Sequence, residues 1–180
     1  MDALPDKWPL QCALKISVAR ALTHVGPDGS LRMVDVGGKA TSERYAHARA
    51  LVRLPPAAAQ ALREATLRKG DALAAAQIAG ILAAKNTAAL IPLAHPLPLA
   101  AVDVGFTWCD ESVLQIDARA RTVAQTGVEM EAMVAASVAA LTIYDMTKSL
   151  GKEITIEAVR LLEKRGGKSG TWRAAGFVPD

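Results

Sequence analysis

Aromatic side chains are scarce: three tryptophans, two tyrosines and two phenylalanines serve 180 residues. A surface that stacks nucleic-acid bases on aromatics interleaved with basic residues therefore has little to be built from. No long Lys/Arg run is present either, and a net charge of +3 admits a small anionic partner without demanding nucleic acid. Cysteine is scarcer still. Cys12 and Cys109 are too few for a disulfide framework, and three histidines fall without metal-ligand spacing, so a reducing cytoplasm and no structural metal is the simplest reading. The longest apolar helical run, near residues 132–144, falls short of the roughly 20 residues a membrane span needs. Asp2 and Asp6 come early, and no apolar stretch of signal-peptide length follows them.

What is present, above all alanine, implies a core of small side chains whose helices pack closely. The length suits one domain with a real core and is too short for two sizeable ones. Residues 1–21 read as an extension and 22–180 as the single domain. "GPDGS" at 26–30 is a turn, and "LRMVDV" an extended segment entering the glycine pair 37–38. A strand is expected over 48–54, ended by Pro55 and Pro56, which open a helix running to Gly70. Asp71 then caps a second helix reaching residue 90, and three prolines make 91–99 a rigid loop. Residues 100–123 read as a hairpin around "CDES", 129–150 as a long helix, 153–164 as a last strand and 165–170 as a basic glycine-rich loop. Two helical blocks between strand pairs fit an α+β sandwich, a mainly antiparallel sheet with helices on one face.

The long helix carries a polar stripe. With Glu131 at zero and about 100° per residue, Thr142 falls near 20°, Asp145 near −40° and Lys148 near −100°. Either this is the helix's solvent face, or it is a site; Ala135 and Val138 lie in the same stripe, where a plain solvent face would carry charge. Glu131 and Asp145 are about 21 Å apart along the axis, so they cannot act as a carboxylate pair. Both can serve one ligand only if it is long or if another chain completes the site. Asp145 and Lys148, three residues apart, do face each other and can form an ion pair or, with more burial, a proton-transfer pair.

Other candidates stay open on spacing alone. "RGGKSG" fails as a nucleotide-binding loop because the glycine that G-x-x-x-x-G-K-[ST] requires falls on Leu162. It remains either a solvated turn or a loop whose glycines let Lys164, Arg165 and Lys168 approach an anion. Lys69 and Lys85 read individually as surface lysines, and His95 is either structural or a functional group held by prolines.

Taken in order, "MVDVGGKA", "KGDALAAAQIAGILAAK", "LIPLAHPLPL", "TGVEMEA", "SVAALTIYDMTK" and "VRLLEKRGGKSG" closely resemble the molybdenum cofactor biosynthesis protein C family, the cyclic pyranopterin monophosphate synthases, from about Leu22 to Trp172. The resemblance implies a ferredoxin-like fold and a cytoplasmic homohexamer of dimers with active sites at the dimer interface. It implies a lyase that rearranges (8S)-3',8-cyclo-7,8-dihydroguanosine 5'-triphosphate to cyclic pyranopterin monophosphate and releases diphosphate. No resident cofactor or metal is implied, Mg²⁺ entering, if at all, with the triphosphate. Asp145 and Lys148 match the catalytic pair. Leu93, Ala94 and His95, with Met130 and Glu131, match substrate-contacting segments, and Glu129, Lys69, Lys85, Arg44, Lys164 and Lys168 match polar residues of the pocket. Ala94 stands where cysteine is commoner and Ser42 where threonine is usual; neither change removes a charge. A silent nucleotide sensor or an oligomerising scaffold could share the fold, but neither would need the Asp145/Lys148 pair.

Overall fold

The computed structural model describes residues 24, 25 and 28–179; the extension expected at 1–21 lies outside them. The chain divides into two units, Met1–Arg32 and Met33–Asp180. In the first, Val25 and Leu31 form an isolated antiparallel bridge.

The second unit holds β1 (Ser42–Arg53), α1 (Pro56–Arg63), α2 (Ala72–Lys85), α3 (Thr87–Leu90), β2 (Leu99–Trp108), β3 (Val113–Ala124), α4 (Glu129–Thr147), β4 (Thr155–Arg165) and β5 (Trp172–Arg173). The strands form one antiparallel sheet in the order β2-β3-β1-β4-β5. Its four long strands and two main helices give the β-α-β-β-α-β sequence of a ferredoxin-like fold, as the resemblance implied. β5 is an added edge.

Period-two alternation gives each strand a different face on each side. Ala46, Ala48, Ala50 and Val52 of β1 are fully buried toward the helices, as are Leu114, Ile116, Ala118 and Ala120 of β3. Alanine lets α4 lie close over them, and α2 lies beside α4. The two helices approach closely at Gly80, where a Cβ would stand 3.0 Å from the Ala135 carbonyl oxygen. On the other face of the sheet Asp117 accepts from His47 Nε2 (2.7 Å), Arg49 Nε (2.9 Å) and Gln115 Nε2 (2.6 Å), and the Phe177 ring meets His47 edge-on.

Several boundaries differ from the sequence reading. β1 begins at Ser42 rather than 48, because its early alternation is alanine against Tyr, His and Arg rather than large apolar against polar. α1 stops at Arg63, not at Gly70. Ala65 adopts left-handed φ (53°) and the Thr66 N–H bonds back to the Ala61 carbonyl, closing the helix without glycine. Asp71 does cap α2, accepting from the Ala74 N–H. The expected continuous helix to residue 90 breaks at Asn86, whose side chain takes the Leu82 carbonyl while Thr87 takes that of Ala84. α4 runs from Glu129 as expected but ends at Thr147, and Lys148–Leu150 tighten into a 3₁₀ turn.

Candidate active site

At the C-terminal end of α4, Lys148 Nζ donates to Asp145 Oδ1 at 2.6 Å. Lys69 reaches the same carboxylate from the turn after α1, donating to the Asp145 carbonyl at 2.7 Å and approaching Oδ2 at 3.4 Å. The Lys148 bond, and then Lys69, hold the Asp145 carboxyl below its ordinary range; Asp145 in turn raises the Lys148 ammonium. The free site therefore holds a carboxylate and a protonated lysine in contact. It is open: the Asp145, Lys148 and Lys69 side chains are 59%, 51% and 44% exposed.

At the other end of α4 the polar stripe is no solvent face. Glu131 and Ala135 are buried, and Thr142, half-buried, turns its hydroxyl to the Val138 carbonyl within the helix. Glu131, Lys85 and His95 line a cleft of about 370 Å³ between the end of α2, the loop before β2 and the start of α4. Burial pushes the Glu131 carboxyl up, its own backbone N–H offsets part of this, and the Glu129 charge adds to the rise. His95 Nε2 lies 2.8 Å from the Val34 carbonyl. A carbonyl only accepts, so Nε2 carries the proton and, in the neutral ring, Nδ1 is left as an acceptor.

A second cavity, of about 660 Å³, lies between the start of β1, the start of α4 and the loop after β4. It gathers Arg44, Glu129, Lys164 and Lys168, together with Lys39, which sequence reasoning missed. The signal for Lys39 was there: a cation directly after the glycine pair of "MVDVGGKA". Arg44 is fixed by two carbonyls, Nε to Ala124 and Nη2 to Gln125, both at 3.1 Å. Lys164 donates to the Ser169 hydroxyl. Ser42 also lines this cavity, and its hydroxyl oxygen is buried without a partner.

Within one chain the thirteen candidates thus fall into separate groups. Seven line the two cavities beside the start of α4, and three cluster at its far end. Leu93, Ala94 and Met130 line neither cavity; the first two are half-buried in the loop before His95, and Met130 is 40% exposed. Among the described residues no three His, Cys, Asp or Glu side chains converge as a metal site requires, and no helix is long and apolar enough to cross a membrane.

Residues 33–167 match the MoaC family model. Proteins called cyclic pyranopterin monophosphate synthase are similar along most of the chain. That of Novosphingobium aromaticivorans is 54% identical over 86% of this chain and 98% of its own length. The Thermomicrobium roseum protein is 53% identical over 84% and 92%, and that of a Nostoc species 52% identical over 84% and 90%. With the family's motif strings now placed around α4 and its flanking cavities, the chain belongs to the MoaC family.

Proposed function

We propose that this chain performs the reaction for which its relatives are named, as a lyase of molybdenum cofactor biosynthesis. (8S)-3',8-cyclo-7,8-dihydroguanosine 5'-triphosphate is rearranged to cyclic pyranopterin monophosphate: the opened purine is rebuilt as a pterin, a cyclic phosphate closes, and diphosphate leaves. The observation that carries the reading is the Asp145–Lys148 contact, reinforced by Lys69. A carboxylate and an ammonium at 2.6 Å can accept and donate the protons that ring opening and reclosure exchange. Lys39, Arg44, Lys164 and Lys168 supply the positive charge that a triphosphate and a departing diphosphate need. His95, Lys85 and Glu131 are assigned to the substrate's other groups, with Leu93, Ala94 and Met130 beside them.

We further propose that the enzyme is a cytoplasmic homohexamer built from dimers, its active site closed by a second copy. The support is geometric. Glu131 and Asp145 lie about 21 Å apart on one rigid helix, too far for one proton relay. A two-fold axis running between two antiparallel copies of α4, level with Val138 midway along the 131–145 span, brings one protomer's Asp145 beside its partner's Glu131. The exposed Leu141, 56% accessible, lies next to that midpoint and gives the contact apolar area.

The test is incubation with the cyclised nucleotide and detection of pterin and diphosphate by mass. Wild type is expected to form both, while Asp145→Asn and Lys148→Ala remain folded and bind the nucleotide but form neither. Wild-type-like turnover by either variant would sink the assignment of roles.

A further inference from the structure

The loop between β4 and β5 presents Lys168 and Ser169 to the 660 Å³ cavity, with Lys164 on the strand just before it. Little apolar packing holds it, since residues 168–171 are exposed. Three of its glycines, Gly166, Gly167 and Gly170, have positive φ. Gly167 lies so close to Arg44 that a Cβ would collide with the guanidinium. Beside the short β4–β5 ladder, one side chain joins the two ends of the loop. Glu163 is 1% exposed and accepts from Arg165 Nη2 at 2.7 Å and from Arg173 Nε at 2.7 Å. Arg165 is the last residue of β4, and Arg173 faces Glu163 in the β4–β5 ladder. A single buried carboxylate thereby ties the outgoing strand to the returning one.

We infer that Glu163, through Arg165 and Arg173, is a positioning residue that holds the β4–β5 loop in register over the phosphate-binding cavity. Glu163 does not line the cavity; it acts on Lys164, Lys168 and Ser169 through the backbone they share. The inference rests on the proposed triphosphate reading of that cavity. The bond from Arg165 is the main cause holding the Glu163 carboxyl low against its burial, so the clamp is ionised at neutral pH. Two charge-assisted bonds to one carboxylate fix both direction and distance, which a neutral pair would do less well.

The experiment compares wild type with Arg173→Met, Glu163→Gln and Lys168→Ala. It measures inorganic tripolyphosphate binding by calorimetry, steady-state turnover of the cyclised nucleotide, and thermal unfolding without ligand. Arg173→Met is expected to weaken tripolyphosphate binding and raise KM about tenfold with kcat within about twofold, a split that marks lost ground-state positioning. Its unfolding midpoint is expected to fall by only about 3 °C, because Arg165 still pairs the buried Glu163 carboxylate. Arg173→Lys is expected to restore part of the affinity, as a purely structural role would not require. Unchanged tripolyphosphate affinity in both Arg173→Met and Glu163→Gln overturns the inference. If Lys168→Ala also leaves affinity and KM unchanged, the triphosphate reading of the cavity falls with it.

Discussion

At the scale of single residues, the proposed chemistry turns on one carboxylate and the two lysines that meet it. Lys69 touches both the carbonyl and the side chain of Asp145. Lys69→Ala is expected to lower kcat about tenfold while Lys148 keeps Asp145 paired, a loss measurable in steady-state assays. Gly167→Ala is expected to displace Arg44 and to forbid the loop's left-handed backbone (φ 72°), raising KM more than it lowers kcat. The Asp145–Lys148 contact was legible in sequence because helical spacing alone puts i and i+3 on one face. The arrival of Lys69 was not. It depends on α1 ending early at a left-handed Ala65, and no glycine marks that position. Nor was the burial of Glu131 visible on the helical wheel, which shows angle and nothing of what packs over each turn.

Elements carry the second lesson. Strands β2, β3 and β4, the long helix and the cap at Asp71 could be read from alternation, turn residues and capping chemistry. β1 was read short, since an alanine face looks polar-neutral in sequence though it is fully buried in the fold. The short β5 was missed: two residues offer no period, and only the Glu163 clamp and ladder pairing define it. Close helix packing makes Gly80→Leu costly. The Ala135 carbonyl lies 3.0 Å and the Val104 side chain 3.2 Å from the position its Cβ would take, so a loss of about 2 kcal/mol or more is expected in denaturant titration. On the far face of the sheet, burial pushes the Asp117 carboxyl up, but the bonds from His47, Arg49 and Gln115 outweigh it and hold it at about 2. A depressed carboxylate contributes stability above its unfolded pKa and loses it as pH falls through the folded one. About 2 kcal/mol is therefore expected to disappear between about pH 4 and pH 2, and Asp117→Asn should flatten that part of the stability curve.

For the molecule as a whole, the proposed reaction has to join two groups of candidate residues at opposite ends of α4. The separation was legible from the helical rise, which left either a long ligand or a second chain to join the two ends. The two cavities were not legible, because each forms where segments far apart in sequence meet: β1, α4 and the β4–β5 loop for the larger, and the end of α2, the loop before β2 and the start of α4 for the smaller. Leu141→Glu, placing charge beside the proposed two-fold axis, is expected to shift the protein toward monomer in ultracentrifugation and to lower turnover in proportion. The most direct measurement mixes two crippled chains. Asp145→Asn and Glu131→Gln are each expected to be nearly inactive alone. In a mixed dimer purified through a different tag on each chain, one of the two sites receives Asp145 from one protomer and Glu131 from the other. Pterin formation should then return to about half the wild-type rate. A mixed dimer as inactive as its parents would contradict a site shared between copies.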